Sequence, residues 1–226
     1  MISLIDVTRF HGPASNPQIV LNQIQLRIDP MDRVGILAAS GAGKSTLARI
    51  IAGSEVPDMG YVTCARRLSW PLGFSSAFHP NLTGTQNISL IARLWNQDPN
   101  ELVARVEDFA HLGDLFHRPM FQLSPGQKSQ IALSLSFNND FDMYLADDMN
   151  VSANRHFRDK CDAALIDKLA SAGLIMLSRH TRLIEQFATR FLVLSGADLI
   201  ECDNASQAQD ILELTLNEEQ APYAIA

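Results

Sequence analysis

The chain has 226 residues, enough for one large domain or two small ones. Apolar residues make up 46% and the balance of 18 basic against 25 acidic side chains leaves a net charge of −7, which excludes intrinsic disorder and wholesale binding to nucleic acid. No apolar run of about 18 residues exists to span a bilayer, and the start, Met1-Ile2-Ser3-Leu4-Ile5-Asp6, lacks the basic and then apolar pattern of a secretory signal.

Taken in chain order, Ile2–Val7 reads as a strand and the segment from Gly12 to Pro17 as a loop. Val20–Ile28 alternates imperfectly through Leu21, Ile24, Leu26 and Ile28 and stops at Asp29-Pro30, a turn signal. Val34–Ala39 is a short apolar run of the kind that forms a buried parallel strand. A helix follows, with Leu47, Ile50 and Ile51 on one face, ending near Gly53. The middle is helical. Gln86–Trp95 places Ile88, Ile91, Leu94 and Trp95 together, and Glu101–Ala110 does the same with Leu102, Val106, Phe109 and Ala110, with Asn100 as the N-cap. Trp70-Pro71 reads as core packing and a turn. A looser stretch after Gly113 leads to a helix over Pro125–Phe137. Strands return at Met143–Ala146, Leu174–Leu177 and Phe191–Leu194, and the Gly196-Ala197-Asp198 turn sends a hairpin back through Leu199-Ile200. Ala205–Leu216 carries Ala208, Ile211, Leu212 and Leu216 at helical spacing. This alternation predicts an α/β fold with a mainly parallel sheet. Three widely spaced cysteines, Cys64, Cys161 and Cys202, read as buried small side chains in a reducing compartment, not as a disulfide scaffold.

The strongest motif is Ala38-Ala39-Ser40-Gly41-Ala42-Gly43-Lys44-Ser45-Thr46, between a predicted strand and a predicted helix. Gly41 and Gly43 let the backbone curl so that the N–H groups of residues Ala39 to Thr46 converge on phosphate oxygens, and the helix adds its positive end. Lys44 reaches the β- and γ-phosphates and the Ser45 hydroxyl is placed for Mg²⁺. Ala38 stands where this loop normally opens on glycine. An alanine is tolerated there provided the position is not left-handed. Nucleoside triphosphate binding follows.

Two further features lie downstream. Leu123-Ser124-Pro125-Gly126-Gln127 opens a helix, and Met143-Tyr144-Leu145-Ala146-Asp147-Asp148 is an apolar strand ending in two carboxylates. Alone, the first is equally an ordinary helix start, with Ser124 as N-cap and Pro125 at the first helical position. In this order, the motifs resemble those of the ATP-binding subunit of an ABC transporter. The resemblance implies a P-loop NTPase of the ABC ATPase type, with a mainly parallel core sheet, an antiparallel N-terminal β region and a helical subdomain. The expected boundaries are 1–78 and 139–203 for the core, 79–138 for the helical subdomain and 204–226 for a C-terminal helix and tail. It implies a homodimer arranged head to tail, in which Ser124, Gly126 and Gln127 of one copy face the γ-phosphate held by the other. ATP and Mg²⁺ are the implied ligands, with Ser45 and Asp147 near the metal. Asp148 takes the place of the glutamate that polarises the attacking water. The switch histidine falls at Arg179 by register, with His180 one place late, and both remain candidates. Asn154 stands where the family places an aspartate. His79 stands where it places a glutamine that faces the metal. Phe10 or His11 is the candidate for stacking on adenine.

Ser69–Phe74, Phe78–Asn87, Ile91–Leu94 and Phe157–Cys161 resemble the exporters of capsular polysaccharide and related glycans. The resemblance then implies an ATPase at the cytoplasmic face of the bacterial inner membrane. It would work with a polytopic membrane permease subunit, without nucleic acid, and would contact the membrane only through that partner. The departures at Ala38, Pro125, Asp148, Asn154 and Arg179 keep open a degenerate, non-hydrolysing subunit with a regulatory or scaffold role.

Overall fold

The computed structural model describes residues 1–13, 15–149 and 155–220. In chain order the elements are β1 (Ile2–His11), β2 (Gln18–Ile28), β3 (Arg33–Ala38), α1 (Lys44–Ile51), β4 (Met59–Cys64), β5 (Leu68–Pro71), α2 (Gly84–Leu94), α3 (Pro99–Ala110) and α4 (Pro125–Phe137). They continue with β6 (Met143–Asp147), α5 (Arg155–Lys168), β7 (Gly173–Ser178), α6 (Thr181–Phe187), β8 (Arg190–Ser195), β9 (Asp198–Cys202) and α7 (Ala205–Gln220). They form two compact units, one built from residues 1–69, 142–148 and 172 onward, the other from residues 70–141 and 149–171.

The first unit carries both sheets. One has the strand order β2-β1-β4 and is antiparallel, with Ile2 opposite both Ile28 and Cys64. The imperfect alternation of β2 has a cause. Leu21 and Ile24 are both buried because the β1–β2 register slips between them, beside Gln23 at φ 45°. β4 carries no apolar alternation, since five of its six residues are exposed, and so it left no signal to read. The larger sheet has the order β5-β6-β7-β3-β8-β9, parallel from β6 to β8 and closed by the β8–β9 hairpin predicted at Gly196. Its central strands are buried along their length, which is why they read as continuous apolar runs. α6 packs so closely on β3 that a Cβ on Gly35 would lie 2.3 Å from Ile184 Cγ2. α7 turns Ala208 and Leu212 inward, as its spacing predicts.

The second unit is helical. Ile88, Ala92, Leu102, Val106, Ala110, Phe116 and Ile131 form its centre. α2 opens with a capping box in which Thr83 and Gln86 satisfy each other's backbone N–H groups. The expected cap of α3 is corrected: the N-cap is Asp98, not Asn100. Asp98 Oδ1 accepts the N–H groups of Asn100 (2.8 Å) and Glu101 (2.9 Å), and Pro99 fills the first helical position, where no N–H is needed. Trp70 does pack, stacking on Trp95 at 4.8 Å and donating from Nε1 to Ser136 Oγ. α5, which periodicity did not reveal, joins this unit through Phe157 edge-on to Phe109. Lys160 also sits 4.4 Å over the Phe109 ring and donates to its carbonyl.

Candidate nucleotide site

β3 ends at Ala38 in extended backbone, so the alanine carries no left-handed strain and the departure there has no conformational cost. The chain then turns through Gly41 (φ 87°) and Gly43 (φ 91°). Gly43 is needed twice over: its φ disfavours any side chain, and a Cβ would stand 2.6 Å from Val20 Cγ1 and 3.0 Å from the Val20 carbonyl. Gly43 is the N-cap of α1, no side chain caps it, and the first turn holds no acidic residue. The helix therefore presents unsatisfied N–H groups and its positive end to an anion. These features border a cleft of about 410 Å³, lined by Ser40, Gly41, Gly43–Thr46, His11, Gln18, Val20 and Asp148. Ala39 and Ala42 line a neighbouring hollow of about 360 Å³ that shares Ser40 and Gly41.

Lys44 is 8% exposed. Its Nζ donates to Asp147 Oδ1 at 3.2 Å and to Asp148 Oδ2 at 2.5 Å, so one buried cation joins the loop to both carboxylates at the end of β6. Asp148 is held at φ 41° by its N–H, which donates to the Leu177 carbonyl at 2.8 Å. Its Oδ1 accepts the Arg179 backbone N–H at 3.3 Å. Of the two switch candidates, Arg179 thus meets Asp148 through its backbone. Its exposed side chain donates from Nε to His180 Nε2 at 3.3 Å, and the His180 N–H donates to Ser178 Oγ. Ser45 is exposed, whereas Thr46 is buried and its hydroxyl accepts from Arg49.

His11 lines the cleft and Phe10 does not. Phe10 is half-buried, and its N–H donates to Asp58 at 2.8 Å, which holds that carboxyl below its usual range. Arg9 bonds Glu55 and Asp58, and Arg49 bonds Glu55, so the end of β1 is fastened to the end of α1. The Arg49 hydrogen bond is the main reason the Glu55 carboxyl is also held low. Sequence reading missed this network, because its members are spread over residues 9 to 58 with no local pattern.

The remaining candidates belong to the helical unit. Ser124 and Gln127 form a capping box over Pro125 and Gly126 at the start of α4. His79 is exposed, with its Nδ1 accepting the Asn81 N–H at 3.3 Å. Asn154 lies outside the described residues. Mg²⁺ takes oxygen ligands, commonly one or two carboxylates together with substrate phosphates. The Ser45 hydroxyl and the Asp147 carboxylate fit that requirement, and the imidazole of His79 does not suit a direct bond to it. Among the described residues no group of three or more His, Cys, Asp or Glu gathers elsewhere to hold a metal.

Residues 21–150 match the ABC transporter family. The chain is 32% identical over 210 residues to the capsule polysaccharide export ATP-binding protein CtrD of Neisseria meningitidis serogroup B, covering 93% of this chain and 97% of that protein. It is 31% identical to the ATP-binding protein BexA of Haemophilus influenzae, over 92% and 96% of the two chains. In fold it resembles a dimeric ATP-binding cassette solved in a post-hydrolysis state with ADP and Pi, with a TM-score of 0.77 at 18% identity over 88% of this chain and 96% of that one. The motif order, the geometry of the loop and these likenesses together make the chain a member of the ABC transporter family.

Proposed function

We propose that this chain is the ATP-binding and ATP-hydrolysing subunit that energises export of capsular or related polysaccharide across the bacterial inner membrane. The observation that carries the reading is Lys44, buried at the mouth of an N–H-lined loop and bonded to both Asp147 and Asp148. The loop from Ala39 to Thr46 binds the phosphates through backbone N–H groups, and Lys44 transfers its charge from the carboxylates to the β- and γ-phosphates. His11 stacks on the base. Ser45 and Asp147 hold Mg²⁺, which when bound neutralises charge on the phosphate oxygens.

Asp148 accepts the proton of the attacking water. A base must lie within about 2.6–3.2 Å of the proton it takes, or work through one water. Aspartate reaches one methylene less far than glutamate, so hydrolysis is slow and Asp148→Glu quickens it. Arg179 or His180 contacts the γ-phosphate, and His79, whose imidazole does not suit a direct bond to Mg²⁺, would face the magnesium site. Ser124, Gly126 and Gln127 of a second copy close the site from the far side of a head-to-tail homodimer. ATP binding closes that dimer and hydrolysis reopens it, which moves a polytopic permease partner. The subunit sits peripherally on the cytoplasmic face. No helix among the described residues is long and apolar enough to cross a membrane; contact with the membrane runs through the permease in this reading.

The test is phosphate release by the purified chain against its Lys44→Ala variant. The expected result is turnover in the first and background in the second; equal release from both discards the motor reading.

A further inference from the structure

Gln18 takes no part in the chemistry above, yet it lines the nucleotide cleft beside His11. The two are the last pair of the β1–β2 ladder before the chain turns through Gly12 at φ 96°. Residues opposite each other on antiparallel strands share a face, with Cβ atoms about 5 Å apart. Gln18 is exposed, and its side-chain amide makes no hydrogen bond among the described residues. A flat ring and an unengaged amide therefore stand side by side over one cleft. Their distance from the phosphate loop is set by β2. Arg9 pairs with Leu21 and Phe10 with Ile19, so Val20 is an extra residue without a partner, a bulge of the kind that re-aims side chains next to a site. Val20 lies against the loop, its Cγ1 2.6 Å from the place a Cβ on Gly43 would take. Gln18 is two residues away, about 7 Å along the strand. A nucleotide with its phosphates in the loop spends that interval on its sugar and brings its base level with His11 and Gln18.

We propose that Gln18 reads the base: its carbonyl accepts from the 6-amino group of an adenine stacked on His11 and its NH₂ donates to N7, which selects adenine over 6-oxopurine nucleotides. The assignment rests on the nucleotide site given under the proposed function. The N7 edge is the one on which an amide can discriminate. Adenine offers a donor beside an acceptor there, whereas guanine offers two acceptors, so guanine gains one bond and sets two acceptors against each other. On the opposite edge, positions 6 and 1 carry one donor and one acceptor in either purine, and an amide that turns over fits both. In an extended nucleotide the N7 edge also faces the 5′-phosphates, the side from which β2 reaches the base.

The test is competition binding to the full chain in the presence of Mg²⁺, with ATP, GTP and 7-deaza-ATP, in which a CH group replaces N7 and the 6-amino group remains. The wild type is expected to bind ATP roughly tenfold more tightly than either of the others, the range that a two-bond contact to a base edge supplies. In Gln18→Ala the three affinities should lie within about twofold of one another. Gln18→Glu keeps an acceptor for the 6-amino group and loses the donor to N7, so it too should bind ATP and 7-deaza-ATP alike. A wild-type chain that binds 7-deaza-ATP as tightly as ATP overturns the proposal without any variant. So does a Gln18→Ala chain that keeps the preference, since another group then reads the base. Because the amide bonds nothing in the folded chain, Gln18→Ala should unfold at the wild-type urea concentration. A lower midpoint would reveal a structural partner for the amide and overturn the reading. Failure of the proposed function looks different: none of the three nucleotides binds, or Lys44→Ala binds ATP as tightly as the wild type, and the proposal falls with it. Binding that depends on Lys44 but shows no preference among the three leaves that function standing and removes Gln18 alone.

Discussion

Gly43→Ala isolates what the phosphate loop requires of its backbone. Gly43 holds φ 91°, and a left-handed backbone costs an L-residue about 1–2 kcal/mol. The new methyl would also stand 2.6 Å from Val20 Cγ1 and 3.0 Å from the Val20 carbonyl, and overlap of this kind costs about 1–3 kcal/mol. The expected sum is about 2–5 kcal/mol, divided between stability and loop geometry. Urea unfolding measures the first part and the affinity for a fluorescent ATP analogue the second. Adding Val20→Ala removes the contact with Cγ1 but neither the carbonyl contact nor the φ cost. The double variant should therefore recover about 1–2 kcal/mol relative to the sum of the single changes. If Gly43→Ala unfolds within about 0.5 kcal/mol of the wild type and binds nucleotide as tightly, the reasoning from this loop is refuted.

Two further outcomes are expected. Hydrogen bonds from Arg49, with help from Arg9, hold the Glu55 carboxyl below its ordinary 4.5, so Glu55 contributes stability that is complete above that pH and is lost as pH falls through its folded value. Urea midpoints at pH 6 and pH 3 should differ less for Glu55→Gln than for the wild type, and an unchanged difference would remove the network from the account. Burial pushes the Cys161 thiol up to about 12 and raises that of Cys202, whereas Cys64, expected from the sequence to be buried like them, is exposed on β4. An aromatic disulfide reagent at pH 8 should therefore titrate one thiol rapidly in the folded chain and all three in urea. Rapid reaction of a second thiol in the folded chain would contradict the burial.

Much of this molecule was legible in its residues, because much of it is written locally. The strand, glycine loop and helix around residues 34–51 lie within one short segment. α4 begins where Ser124 and Pro125 put it, and the β8–β9 hairpin turns at Gly196. These elements depend on backbone sterics, capping and periodicity, which act over a few residues. Other features had no local signal. β4 is exposed at five of six residues, so no alternation marks it, and α5 packs in the helical unit through partners distant in sequence, with Phe157 and Lys160 against Phe109. The cap of α3 is Asp98 and not Asn100, because the N–H groups of Asn100 and Glu101 both bond the Asp98 carboxylate.

The residues on their own determined the glycine-rich loop between β3 and α1, since Gly41, Gly43, Lys44 and the flanking apolar runs carry that information within a dozen positions. Only the tertiary structure decided what the loop works with. The sheet order β6-β7-β3 carries Asp147 and Asp148 to Lys44 across 103 and 104 positions of chain. Val20, on a strand of the other sheet, makes Gly43 obligatory. Such partners are chosen by how whole strands and helices pack, and packing couples residues by distance in space, to which a linear pattern is blind.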